Sequence, residues 1–343
     1  MAKKQELKEF YRPEEVTADV LQGVIDEREP RRKPMMQYVE AQAHDGELIE
    51  VPILIQQRER FANITGFSDS SVLVRGMKTE KKLVAPFHVK NAYEFKATED
   101  EDNLRRTGDG ARDYEVSQEG LVEATDDLEG RRENLQFWAI AAMVNDKQFT
   151  YDDGDKVISI SYAEEILDLT NPGTALNDAG ADPYYETDIM KDEFYAATGQ
   201  QPTLAFINGP TSATFKSHDK VQAGLTPQQP SDPDPSGPSF SMFEFNGITW
   251  VVIHDRYPLL TGGQKAAVDN GYAIMTVLQD QRGGGMPMKI HRAANILNRN
   301  NPAGPSYDSF IPSEDPFTMA VRLYDNMIPG VSRKGIVQKW KMW

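Results

Sequence analysis

Residues 47–97 hold more strand than their own surroundings can cover. The run 47–58 reads Glu-Leu-Ile-Glu-Val-Pro-Ile-Leu-Ile-Gln-Gln-Arg. It is rich in β-branched residues, and its Pro52 suits an edge position. The run 82–96 is strand-like again, and near its end Tyr93 and Phe95 alternate with Glu94 and Lys96. Residues 66–81 between the two runs are polar, with Gly66 and Gly76 as bends. The economical reading is a long two-stranded hairpin over 47–97. An isolated hairpin is barely stable in water, so something outside this unit has to shelter it.

The rest of the chain reads as α+β. Residues 1–46 are polar and charged, broken by Pro13, Pro30 and Pro34, with one short amphipathic stretch at 14–25. They form an N-terminal arm that is expected to gain order from a partner. Its basic run Arg31-Arg32-Lys33 is either a solvated linker or a contact point. A long helix is expected over 115–144, because Leu121, Leu128, Leu135 and Ala142 recur every seven residues. Asp113 or Ser117 can cap its start. At about 1.5 Å per residue such a helix must lie along something large.

Beyond it come a strand at 157–162, a helix from about Asp188, a strand at 203–208 and a helix at 211–216. Residues 222–239 carry Pro227, Pro230, Pro233, Pro235 and Pro238, which marks a loop. A hairpin turns at Asn246-Gly247. Strands follow at 271–278 and 318–324, and a charged tail ends in Trp340 and Trp343.

Catalytic and metal chemistry find little support. Cysteine is absent, which excludes disulfides, thiolate zinc sites and a cysteine nucleophile. The histidines His44, His88, His218, His254 and His291 show no metal-ligand spacing. His254 and Asp255 are adjacent, and neighbours on a strand point to opposite faces. The acidic runs at 99–102 and 152–155 lack the register of a calcium loop. Gly283-Gly284-Gly285 lacks the Lys-Ser/Thr of a phosphate loop. No catalytic, cofactor-binding or metal-ligating residue is therefore assigned.

Acids outnumber bases by 53 to 37, and the formal net charge of −16 disfavours general binding to nucleic acid. No stretch is long and apolar enough to cross a bilayer. The N-terminal residues lack the apolar core of a signal peptide.

Several segments in this order resemble the tailed-bacteriophage major capsid proteins, specifically the lambda-type capsid E family. They are the strand 51–60 with 82–96 and its acidic end Ala97-Thr-Glu-Asp-Glu-Asp102, and the helix with Leu128-Glu-Gly-Arg-Arg-Glu-Asn-Leu135 and Ala139-Ile-Ala-Ala-Met143. Phe149-Thr-Tyr-Asp-Asp153, Asp269-Asn-Gly-Tyr-Ala-Ile-Met-Thr276 and Pro316-Phe-Thr-Met319 complete the set. The likeness covers nearly the whole chain beyond the arm, and the proline-rich loop departs from it.

The resemblance implies a Hong Kong 97-type fold. Its parts would be an arm (1–46), an extended hairpin loop (47–97), a peripheral domain with a spine helix (98–187), an axial domain (188–278) and a return segment with the C-terminal tail (279–343). It implies a shell subunit of the virion, assembled in the host cytoplasm as hexamers and pentamers around double-stranded DNA that it does not read. Portal and scaffold proteins, and a decoration protein, would be its partners. The expected contact residues between subunits are Arg75, Lys78, Lys81 and Lys82 at the hairpin tip and Arg31 and Arg32 in the arm, together with the axial loop. A non-viral compartment shell of the same fold is the second reading. A soluble acidic hydrolase is the reading from another class.

Overall fold

A computed structural model of the chain describes residues 9–26, 33–44, 49–54, 79–84, 86–99, 102–108, 113–152, 157–171, 173–178, 180–225, 241–259, 262–295, 297, 304–314 and 317–343. For 50–54, 79–84, 152 and 314 only the backbone is described. The first part of the chain carries β1 (Phe10–Tyr11), α1 (Ala18–Asp26), β2 (Val39–Ala43), β3 (Ile49–Leu54), β4 (Thr79–Val84), β5 (Phe87–Lys96), β6 (Leu104–Arg106) and β7 (Tyr114–Ser117). Then come α2 (Gln118–Asp146), β8 (Gln148–Asp152), β9 (Val157–Ser161), β10 (Leu167–Thr170), α3 (Pro183–Thr198), β11 (Leu204–Asn208), α4 (Gly209–Lys216) and α5 (Asp219–Gly224). The last part holds β12 (Met242–Phe245), β13 (Ile248–Ile253), β14 (Arg256–Pro258), β15 (Gln264–Ala266), β16 (Tyr272–Thr276), β17 (Met288–Arg292), β18 (Ser306–Glu314), β19 (Phe317–Val331) and β20 (Gln338–Lys341).

Helix α2 starts three residues later than the heptad spacing suggests. Glu115 and Val116 belong to β7, and Ser117 is the cap, its Oγ accepting from the Gly120 N–H at 3.0 Å. The helix ends at Lys147, which takes a left-handed φ of 55°. Leu121, Ala124, Leu128 and Ala142 are buried as expected, and Leu135 is half-buried. From Ala139 to Asn145 every residue is buried. The first half is therefore an amphipathic surface helix, and the second half is enclosed.

What encloses it is a sheet built on the fifteen-residue strand β19. One edge of β19 pairs with β5, from Thr318↔Lys96 to Met327↔Phe87. The other edge takes β18 and then β17, and β2 adds to β17 in parallel. This corrects the hairpin reading. The run 82–96 is not one strand facing 47–58. Residues 79–84 form β4, which pairs with β3 from Ile49↔Val84 to Leu54↔Thr79, and the chain then restarts as β5. Pro86 has no N–H to continue a ladder. Phe87, Val89 and Phe95 are buried, so β5 has an apolar face that the core takes up.

The described part of the arm is held by its own chain. β1 pairs with β7, and α1 buries Val20, Leu21 and Val24 against α2 and β18. Ser309 Oγ donates to the Val16 carbonyl at 2.6 Å. The expectation that the whole arm waits for a partner fails for these residues, because α1 has an apolar stripe wide enough to dock.

A second sheet has the order β10-β20-β16-β11-β13-β12. β11 (Leu-Ala-Phe-Ile-Asn) is buried along its length, as a continuous apolar run requires. β12 and β13 turn at Asn246 (φ 52°) and Gly247 (φ 72°), the paired left-handed conformation of a tight hairpin. α3 begins at Pro183 rather than near Asp188, because Asp182 caps it and Pro183 is suited to a first turn. Phe215 on α4 stacks on Trp250 of β13 with ring centroids 4.9 Å apart.

The expected charged tail is instead strand β20, seated between β10 and β16 with Trp340 1% exposed. This sheet thus draws strands from both flanks of 188–278. The proline run from Pro227 to Pro238 falls outside the described residues.

Candidate assembly surfaces

Strands β3 and β4 pair with each other and, among the described residues, with no other strand. Each has six residues, so at about 3.3 Å per residue the ribbon offers roughly 20 Å of backbone donors and acceptors along each outer edge. Such an edge is a template for another strand. Lys81 stands opposite Pro52 and Lys82 opposite Val51. Pro52 is an acceptor-only position, which Lys81 flanks from the partner strand. Arg75 and Lys78, expected at the tip, lie outside the described residues, as do Arg31 and Arg32. The structure therefore brings together only two of the six expected contact residues, and it describes them by backbone register.

The ribbon must be carried by a firm base, and the base is stiffened by charges that the sequence reading missed. Beneath α2, Arg132 Nε lies 3.0 Å from both oxygens of Glu129, and its Nη2 donates to the same carboxylate. Arg132 Nη1 lies 3.6 Å from Asp325 of β19, a carboxylate that is 1% exposed. Tyr307 of β18 donates its hydroxyl to Glu129. The Gln136 amide oxygen accepts from Arg132 Nη1 at 2.8 Å and from Arg292 Nη2 at 3.2 Å.

Burial pulls the Arg132 guanidinium down, but Glu129 and Asp325 outweigh it and hold its pKa above the ordinary value. Arg292 is held below its ordinary value, chiefly by burial and further by the Arg132 charge. One polar ladder thus pins the spine helix to three strands of the sheet. Breaking one member would strand a buried charge, at a cost of about 3–5 kcal/mol. A signal for it existed: positions 121, 125, 128, 132 and 136 share one helical face, so Arg132 and Gln136 fall on the buried stripe.

Two further clamps join the spine helix and β19 to the second sheet. Lys339 Nζ donates to the Asn145 carbonyl at 2.6 Å and to Asp269 at 2.8 Å. Arg333 Nε meets both Asp280 oxygens at 3.0 Å, and Ser332 and the Arg282 N–H also donate to that carboxylate. Asp280 is the anchor of the glycine turn at 283–285, where Gly284 and Gly285 take positive φ. The triple glycine is therefore a tight turn, as its missing phosphate-loop partners suggest.

No group of histidine and carboxylate side chains among the described residues is arranged to hold a metal ion. His254 is exposed in the turn after β13, and among the described residues no hydrogen bond joins it to Asp255. His44 and His291 share a hydrogen bond of 2.9 Å between their rings. Burial, aided by His44 and Lys289, pushes His291 down to about 3. The His291 ring is therefore uncharged near neutral pH while it shares its hydrogen bond with His44.

Comparison with known proteins agrees with this geometry. The sequence profile of the phage major capsid protein E family matches residues 47–341. No curated protein matches the sequence. Among solved structures, the chain is similar to a prophage protein of Escherichia coli assigned as a capsid protein. The TM-score is 0.65 at 11% identity, with 95% of this chain and 99% of that one covered. It is also similar to a phage-related protein of Bordetella bronchiseptica, with a TM-score of 0.60 at 9% identity and 95% and 97% of the two chains covered. At such identities the likeness concerns the fold, which is the Hong Kong 97-type capsid fold expected from the sequence. A family match over most of the chain makes this chain a member of the phage major capsid protein E family, a structural shell protein of the bacteriophage head.

Proposed function

We propose that copies of this chain close into an icosahedral shell of pentamers and hexamers around double-stranded DNA. The observation that carries the reading is the β3–β4 ribbon, whose two outer edges find no strand among the described residues. A neighbouring copy supplies what those edges lack: backbone partners and cover. Even a modest interface buries ~1,200–2,000 Å² in total, and repetition around every subunit gives endurance without disulfides. The net charge of −16 suits a lining that must not grip the genome it encloses. Lys81 and Lys82, with Arg75, Lys78, Arg31 and Arg32, are the contact residues in this reading. Its role is structural and requires no catalytic group.

Electron microscopy of purified full-length chain tests it, alongside a variant in which residues 50–84 are replaced by a short Gly-Ser linker, the buried Ile49 being kept. The full chain should yield closed particles, and the variant should stay folded but unassembled. Closed particles of normal size from the variant would overturn the reading.

A further inference from the structure

The two sheets are joined in two unlike ways. One joint is filled and charged: Lys339 is tied to Asn145 and Asp269, and Arg333 to Asp280, with Arg333 and Asp280 almost fully buried. Next to the Arg333–Asp280 pair, across the 280–286 turn, the second joint is residues 33–44: the Asp280 N–H donates to the Gly285 carbonyl at 2.8 Å, and Glu40 reaches the neighbouring Met286 N–H. The first half of 33–44 is a 3-10 turn, Pro34–Tyr38, seated on the second sheet. Met35 is 0% exposed there. The Tyr38 ring meets Phe206 of β11 edge-on at 5.4 Å, and its hydroxyl donates to Met242 Sδ at 3.5 Å. The second half is β2, the outermost strand beside β17 in the first sheet, in register from Val39↔Met288 to Ala43↔Arg292. The segment therefore crosses from one sheet to the other.

Its hold is light. Parallel pairing is slightly weaker per residue than antiparallel, and no residue of β2 is buried. Glu40 accepts from the Met286 N–H at 3.0 Å, and the His44 N–H donates to the Arg292 carbonyl at 2.9 Å. Beneath the crossing lies a cavity of about 570 Å³, lined by Lys33, Gln37 and Glu40 above and by Arg132, Gln136 and Arg292 below. β2 so placed can lift from β17 without opening either sheet's core, while Met35 keeps the Pro34–Tyr38 turn on the second sheet.

We infer that residues 33–44 are a strap that latches the angle between the two sheets. When it lifts, the sheets turn about the Lys339–Asn145–Asp269 clamp while the subunit stays folded. The inference concerns the single subunit and does not depend on the number of copies in the shell.

The chain has no cysteine, so introduced thiols are unique probes. Spin labels on Val157→Cys and Tyr185→Cys, 67% and 64% exposed, report the separation of the two halves in full-length, unassembled protein. Adding Tyr38→Ala with His44→Ala should broaden that distance distribution or shift its mean while circular dichroism is unchanged. An identical distribution would overturn the strap. Hydrogen exchange on the unaltered chain gives a second reading that needs no variant. Amides of 39–43 should exchange at least about tenfold faster than those of 338–341, by local opening. Equal rates would mean that the segment leaves only when the whole subunit unfolds, and the inference would fall.

Discussion

β20 and the β3–β4 ribbon are both short stretches of strand, yet they end in opposite surroundings. β20 has four residues and a neighbour on each edge, β10 in parallel and β16 antiparallel. Trp340 is 1% exposed within it. β3 and β4 have six residues each and, among the described residues, pair only with each other. The strand nearer the chain end is the one the monomer cannot lose. The longer ribbon joins no other strand among the described residues, and Ile49 at its base is its one described side chain, buried in the core. Stability of the subunit and capacity to assemble are thus placed in different strands.

The largest test of that contrast removes the anchor of β20. Trp340→Ala should cost about 3–5 kcal/mol, a large part of the stability of a typical domain, and thermal denaturation should show it. Replacing 50–84 by a linker, which keeps the buried Ile49, should leave the melting temperature within a few degrees. Equal losses from the two changes would abolish the contrast. Next in size, Arg333→Met leaves Asp280 buried without its counter-charge and should cost about 3 kcal/mol. Adding Asp280→Leu should recover most of that loss in urea denaturation, because the orphaned charge goes too.

Acid should act on the same side of the molecule. Burial pushes the Asp280 carboxyl up, but Ser332, the Gly283 N–H and Arg333 outweigh it and hold it below the ordinary range. Asp269 is likewise lowered, with burial opposed by Lys339, Asn145 and Lys265. A depressed folded pKa means stability that is present above the unfolded value of about 3.9 and lost as pH falls through the folded value. The melting temperature should therefore drop below about pH 4, and Asp280→Asn should flatten that drop. The smallest effect on the monomer belongs to the ribbon. Lys81→Glu with Lys82→Glu should change stability by no more than about 0.5 kcal/mol while lowering the yield of particles in sedimentation. A folded, fully assembling double variant would remove these two lysines from the contact.

Local signals were legible where one segment carries its own reason. The α2 leucines, the apolar run Leu204–Ile207 of β11 and the Asn246-Gly247 turn each announce their conformation through periodicity or backbone preference. Pairing was not legible. β4 and β5 are consecutive and both strand-like, yet one joins the ribbon and the other joins β19, more than two hundred residues away. The charged ladder of Glu129, Arg132 and Asp325 was hidden for the same reason. Its members gain their meaning from a strand far along the chain.

Periodicity, turn residues and the lack of cysteine dictated the element types, the α+β class and the need for assembly in place of covalent bridges. The partner of each strand was settled by packing, since backbone donors and acceptors are alike at every residue and choose a neighbour only when the apolar faces around them are buried together. That is why a tail carrying two tryptophans became an inner strand, and why the run 82–96 is shared between the ribbon and β19.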